Sequence, residues 1–350
     1  MELLKNPHRL SGKLAKEAPY PSIAAHRVAE LLKHCPAAAQ TPLVDASSLA
    51  QGFGIGALWV KDERARMNLG SFKALGAAYV IARQASDLAQ APDQSTLSGR
   101  TYVTASAGNH GLSVAAGARL FGARAVVYIA ETVPEVFADR LRAQGAEVRR
   151  EGADYAASMN AAATAAAEQN WTLLSDSSWP GYTDLPYILM EGYLQMAAET
   201  GNQCAQPPTH ILLQAGVGGL AGAVAAYARH LWQDAPVIIV VEPDAAPALQ
   251  ASIRAGHAVV ADGPDSIMGR LDCKEPSLIA LNGLARDADW FATLSDAEVS
   301  AVLPVLARAD IETTASGAAG IALLNNAAAC AELGMGPDAR VLCILSEAPE

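Results

Sequence analysis

The feature that most limits how this chain can fold is a repeated unit: a short apolar strand-like run, a turn of small residues, then a helical run. Thr101–Ala105 reads as a strand, Ser106–Gly111 as the turn, and a helical stretch ending at Gly122 follows. Arg124–Ala130 is the next strand-like run, and Pro134 opens a helix that ends near Gly145. Ala146–Arg150 is extended again, and the Ala-rich helical segment Ala156–Ala167 leads into Trp171–Ser175. The rhythm restarts with His210–Gln214, a helix over Leu220–Trp232 and the run Val237–Val241, and Val341–Leu345 is a last buried strand. Parallel strands need a long crossover, usually a helix, and unbroken Val/Ile/Leu runs need cover on both faces. The pattern predicts an α/β protein built of two doubly wound domains with parallel sheets. A length of 350 residues agrees, since that exceeds what one core usually serves.

Composition narrows the function. Hydrophobic residues at 51% and charged residues at 17% describe a globular chain. A net charge of -11 lacks the basic footprint that nucleic acid or an anionic membrane requires, yet leaves room for a local anion pocket. No apolar run is long enough to span a bilayer, and the first residues carry no signal-peptide core. Five scattered cysteines without a CxxC pair read as reduced thiols, with no metal site. The expectation is a cytoplasmic protein.

Three segments carry chemistry. In Asn68–Gly76, Lys73 opens the apolar helical run Ala74–Ala82. A lysine in apolar surroundings loses its charge readily and can condense with an aldehyde, although a snorkelling side chain at a helix end fits the same placement. Ser106-Ala107-Gly108-Asn109-His110-Gly111 lies between a strand and a helix, where N–H groups attract a carboxylate and Asn109 offers an amide; Ser106 or Asn109 as a simple helix cap is the plainer alternative. Gly216-Val217-Gly218-Gly219-Leu220-Ala221-Gly222 repeats that arrangement as a phosphate cradle. It also satisfies a dinucleotide fingerprint, Gly216-x-Gly218-x-x-Ala221, with Glu242 where a ribose-binding acid belongs. A nicotinamide dehydrogenase has no use for the first two segments; pyridoxal 5'-phosphate (PLP) carrying an amino acid uses all three.

Together these segments resemble the fold type II, tryptophan synthase β-like, PLP enzymes. Thr41-Pro42-Leu43, Leu58-Trp59-Val60-Lys61-Asp62-Glu63 and Ser71-Phe72-Lys73 stand in that family's order, and Thr104–Gly111 is similar to its threonine dehydratase branch. Asp176–Thr183, His210–Gly218, Val241-Glu242-Pro243-Asp244, Ser266-Ile267-Met268-Gly269 and Cys273–Pro276 resemble the diaminopropionate ammonia-lyases. The resemblance implies that Lys73 is the Schiff-base lysine and general base, and that Asn109 contacts the cofactor's phenolic oxygen. Gly216, Val217, Gly218, Gly219 and Leu220 hold its phosphate, Ser346 faces the pyridine nitrogen, and Phe72 lines the ring. Ser106, Ala107, Gly108 and His110 belong to the turn that holds the substrate, and Asp176 recognises a distal ammonium or is an ordinary strand-end cap. Glu242 then becomes a plain strand-end acid.

The implied reaction is α,β-elimination from a small amino acid to a 2-oxo acid and ammonia, as in the diaminopropionate ammonia-lyases. Serine/threonine or 3-hydroxyaspartate dehydration, β-replacement and a PLP-binding regulator remain alternatives. Residues 1–75 and 183–350 would form the large PLP-binding domain, residues 76–182 a smaller substrate-side domain, and the protein a homodimer by family analogy. One departure stands out: Ala107 occupies a position where the resembled ammonia-lyases carry an aspartate and related racemases a serine. Alanine transfers no proton, so abstraction is expected from one face only, by Lys73.

Overall fold

The computed structural model describes residues 1–10, 12–35 and 37–349. Its strands, in chain order, are β1 (Glu2–Lys5), β2 (Leu43–Asp45), β3 (Ala57–Asp62), β4 (Thr101–Ala105), β5 (Arg124–Ile129) and β6 (Glu147–Arg150). They continue with β7 (Thr172–Leu173), β8 (His210–Gln214), β9 (Val237–Pro243), β10 (Trp290–Leu294) and β11 (Arg340–Leu345). Two sheets result: a seven-stranded one in the order β1-β10-β9-β8-β11-β3-β2 and a four-stranded one in the order β6-β5-β4-β7.

The small sheet is parallel throughout, as the alternation predicts. In the large sheet the five strands from β10 to β3 are parallel, but both edges are not: β1 pairs antiparallel with β10, and β2 antiparallel with β3. The strands β1, β2, β3 and β10 escape the sequence reading; β1 and β2 are short and pair antiparallel, so no crossover helix ties them to their neighbours.

The central strands explain the unbroken apolar runs. Along β8, Ile211 and Leu213 join the core on one face of the sheet, while Leu212 joins the core on the other. Likewise Ile238 and Val240 face one way and Ile239 and Val241 the other; Leu342 and Ile344 oppose Val341, Cys343 and Leu345. Helices Gly219–Trp232 and Leu278–Asp287 cover the first face, and Ala315–Ala322 packs on the second. With side chains alternating across the pleat, a strand covered on both sides is apolar along its middle, and its buried polar residues must find partners.

The same winding places every chemistry-bearing segment at a strand's carboxyl end, where open α/β sheets bind ligands. The Ser106–Gly108 turn follows β4, and the Gly216–Gly218 turn follows β8. Ser346 and Glu347 follow β11, and the loop to Lys73 follows β3.

Candidate active site

Lys73 sits in a 3-10 turn, Phe72–Leu75, and not at the start of the α-helix, which begins at Ala77. Ser71 caps that turn by accepting from the Lys73 N–H at 3.3 Å. The preceding backbone turns through positive φ at Met67, Asn68 and Gly70, a conformation that L-residues adopt only when their surroundings enforce it. Both ends of the loop are pinned. On the C-terminal side the segment after β11 zips onto it: Phe72 N–H donates to Ser346 O at 3.0 Å and Ala348 N–H to Gly70 O at 2.8 Å.

On the N-terminal side a buried ionic network anchors Arg66. Its guanidinium donates to both oxygens of Glu63, to Thr41 Oγ1 and to both oxygens of Glu199, while Lys61 Nζ reaches Glu199 at 2.8 Å. Burial opposes ionisation of Glu199, but the bonds from Arg66 and Lys61 outweigh it and hold its pKa at about 2. Such a network is costly to desolvate and persists only when fully satisfied, so it fixes one arrangement of the loop. The motif around Lys61 and Glu63 was visible in the sequence; Glu199, 138 positions beyond Lys61, was not.

The Lys73 ammonium forms an ion pair with Asp176. Burial works to neutralise both groups, yet their mutual attraction prevails, keeping the amine above its ordinary pKa and the carboxyl below its own. The fold thus joins two residues that sequence reasoning treated separately. Phe72 flanks the amine, with Nζ 5.7 Å from its ring centroid, and packs edge-on against Tyr193 at 4.9 Å.

Tyr193 is a residue the sequence reading missed. A Cβ added to Gly219 would stand 3.4 Å from its ring, so it spans Phe72 and the glycine turn. It stands where the helices Asp184–Gly192 and Leu194–Gln203 meet, and no local signal marks it. Cys273, to which the sequence segment Cys273–Pro276 assigns no role, has its thiol pushed up to about 11 by burial and sits where a Cβ on Gly216 would approach Sγ to 3.0 Å.

Of the other predicted residues, His110 lies within the electrostatic reach of this pair. Asn109 opens the helix Asn109–Leu120, but neither it nor Ser106 caps it; Gly108 is the cap residue and makes no side-chain bond. Ser106 Oγ accepts from Gly108 N–H at 3.3 Å. The Asn109 amide donates to Glu347 Oε2 at 2.7 Å. His110 Nε2 bonds Leu174 O at 2.8 Å, so that nitrogen carries the proton. Burial keeps the imidazole below its ordinary pKa, leaving Nδ1 a buried acceptor with no protein partner.

Beyond β8, Gly218 has φ +97° and precedes the helix Gly219–Trp232, whose first turn no side chain caps. Glu242 has a different task from the ribose acid of a dinucleotide site. It is fully buried and accepts from the N–H groups of Leu249 and Gln250 at 2.7 and 2.8 Å, capping a helix, with its pKa raised by burial to about 8. Both its oxygens are committed, which removes the dehydrogenase reading of this turn.

A phosphorylated aldehyde fits these residues. The uncapped helix start behind a left-handed glycine suits a phosphate, the amine suits the aldehyde, and the hydroxyl of Tyr193 and Nδ1 of His110 are buried polar atoms without protein partners. The pyridoxal-phosphate dependent enzyme family profile matches residues 35–347. This chain belongs to that family. Its cofactor is pyridoxal phosphate.

The chain is 33% identical over 297 residues to the diaminopropionate ammonia-lyase of Salmonella typhimurium, covering 77% of this chain and 72% of that one. It is 33% identical over 281 residues to the Escherichia coli K12 enzyme of the same name, covering 76% and 70%. The crystal structure of Escherichia coli diaminopropionate ammonia lyase in complex with an aminoacrylate-PLP azomethine reaction intermediate superimposes with a TM-score of 0.88 at 28% identity, covering 99% of this chain and 93% of that one. The fold is therefore fold type II, as the sequence segments imply.

Proposed function

We propose that this enzyme eliminates the β-substituent of a small amino acid, with 2,3-diaminopropionate as the substrate, giving pyruvate and ammonia. The observation that carries the reading is the Lys73–Asp176 ion pair, framed by the Asn109 turn on one side and the glycine turn on the other. When bound, PLP supplies an aldehyde that captures amines and an electron sink for charge developing at the substrate Cα.

In this reading Lys73 Nζ holds the cofactor and, once released, accepts the Cα proton. Gly216 through Leu220 seat the phosphate, Ser346 stands at the ring nitrogen, Asn109 at the phenolic oxygen, and Phe72 against the ring. The Ser106–Gly108 turn takes the substrate carboxylate, and His110 Nδ1 supplies an acceptor nearby. Asp176 now pairs with an ammonium, that of Lys73. With Lys73 Nζ committed to the cofactor, the carboxylate would lose that partner, and a substrate carrying a second ammonium offers a replacement for it. A hydroxyl leaving group offers no such replacement, which favours diaminopropionate over serine, threonine or 3-hydroxyaspartate.

Residues 76–182 act as the substrate-side domain and residues 1–75 with 183–350 as the PLP-binding domain. In support, all strands of the small sheet fall in the first span and all strands of the large sheet in the second. A homodimer in the cytoplasm belongs to the same proposal; light scattering and cell fractionation test it. Among the described residues no helix is long and apolar enough to cross a membrane.

Borohydride reduction of the purified protein followed by peptide mapping should tag Lys73; a tag elsewhere overturns the assignment. Ammonia release from diaminopropionate, serine, threonine and 3-hydroxyaspartate in parallel identifies the leaving group. Asp176→Asn should raise KM for diaminopropionate far more than for serine, and equal effects on both would remove Asp176 from substrate recognition.

A further inference from the structure

A cleft of about 530 Å³ opens beside the site, between the two sheets. Val133, Pro134 and Phe137 form its wall on the small-sheet side, and Ala107 and Gly108 of the Ser106–Gly108 turn reach its floor. The facing wall comes from the 269–270 and 313–316 segments of the large-sheet side, and Arg270 is the cation among the residues lining it.

The placement of Arg270 is built, not incidental. Its backbone N–H donates to Ser316 Oγ at 3.1 Å. Its Nη1 pairs with Glu347 Oε1 at 2.8 Å, and Glu347 is itself almost fully buried. Glu347 is fixed in turn: Thr314 Oγ1 donates to the same oxygen, Thr313 Oγ1 to its backbone carbonyl, and Asn109 Nδ2 to the other carboxylate oxygen. One carboxylate therefore ties the arginine to the asparagine across the two sheets. The guanidinium lies against Gly108, where an added Cβ would stand 3.9 Å from Nε. A planar fork is thus held beside the turn at which a substrate carboxylate is to sit, with a quarter of its side chain exposed in the cleft.

We propose that Arg270 is a substrate-binding residue that closes the α-carboxylate site from the large-sheet side, and that Glu347 is the positioning residue aiming both Arg270 and Asn109. The Ser106–Gly108 turn then supplies hydrogen-bond donors, and Arg270, while paired with Glu347, adds the further N–H donors of its guanidinium. Guanidinium recognition of carboxylate is planar and charge-assisted, so the site selects a free α-amino acid over its amide or ester. The proposal rests on the elimination reading for the identity of the turn.

The test compares two ligands without a Cα proton, 2-aminoisobutyrate and 2-aminoisobutyramide, titrated into the purified holoenzyme and followed both by visible absorbance and by calorimetry. Arg270→Gln should weaken the carboxylate ligand by roughly tenfold to a hundredfold, the range for losing one charge-assisted hydrogen bond, and leave the amide unchanged. Arg270→Lys should recover part of the loss, because it restores charge without the fork. In turnover, Arg270→Gln should raise KM far more than it lowers kcat. Glu347→Gln should weaken the carboxylate ligand and also shift the visible spectrum, through Asn109. Equal weakening of both ligands, or none, overturns the proposal. A protein without the cofactor's absorbance sinks the elimination reading instead, and calorimetry still reads the carboxylate-to-amide ratio.

Discussion

The Lys73–Asp176 pair permits a quantitative test of the site. Its side chains retain only 22% and 16% of their exposure. Removing one member of a fully buried pair costs ~3–5 kcal/mol, chiefly because the other charge is left unpaired. With some solvent contact remaining, Lys73→Met should destabilise the cofactor-free protein by about 3 kcal/mol, near the low end of that range. The stranded Asp176 carboxylate then keeps only His110 as a charged-state partner, a group whose ionisation burial opposes.

Asp176→Asn should cost a similar amount by stranding the ammonium beside Phe72 and Tyr193. The double variant carries neither charge. It should lose clearly less than the sum of the single losses, with a coupling of about 2 kcal/mol. Urea unfolding of the four cofactor-free proteins at pH 7 measures the cycle.

The pH dependence follows by sign. Asp176 lies below its ordinary 3.8, so its contribution is present above that value and fades as pH falls through the folded-state pKa. Lys73 lies above its ordinary 10.5, so its contribution is complete below that value and fades as pH rises through the folded-state pKa. The coupling should therefore be flat from about pH 4 to about pH 10. Additive single losses, or a coupling that changes between pH 6 and 8, would refute the argument.

Three further outcomes follow. Gly218→Ala places a Cβ 2.9 Å from Ala280 Cβ at φ +97°, so left-handed strain and overpacking together should cost about 2–4 kcal/mol and weaken phosphate capture, read by thermal unfolding and by cofactor titration; an unchanged Tm would contradict it. Cys273, with its thiol at about 11, is ionised to roughly one part in a thousand at pH 8, so iodoacetamide should label it only after unfolding, as mass mapping would reveal. Because Ala107 carries no proton-transferring group, elimination should be fast for one enantiomer, the L form approached by Lys73; comparable D and L rates in an enantiopure assay would show that another group serves the opposite face.

Most of the candidate site was legible in the chain because it is local. Ser106 to Gly108, Gly216 to Gly218 and the neighbourhood of Lys73 announce themselves through small residues at strand–helix junctions, and a junction is defined by a few consecutive positions. Even so, local patterns misplaced details. Lys73 was read at the head of a helix, whereas the pinned loop forces a 3-10 turn. Glu242 satisfied a spacing rule for a ribose ligand, and only its burial and two backbone bonds revealed a helix cap.

By itself the sequence determined the layered α/β class and the family, and it marked Lys73 and the two small-residue turns as candidates. Tertiary structure alone decided who meets whom. Asp176 reaches Lys73 across 103 positions and Glu347 reaches Asn109 across 238, while Glu199 and Tyr193 carry no local mark at all. The physical reason is that strand and turn propensities act over neighbouring residues, whereas ion pairing and burial depend on distances that exist only after the two sheets have formed.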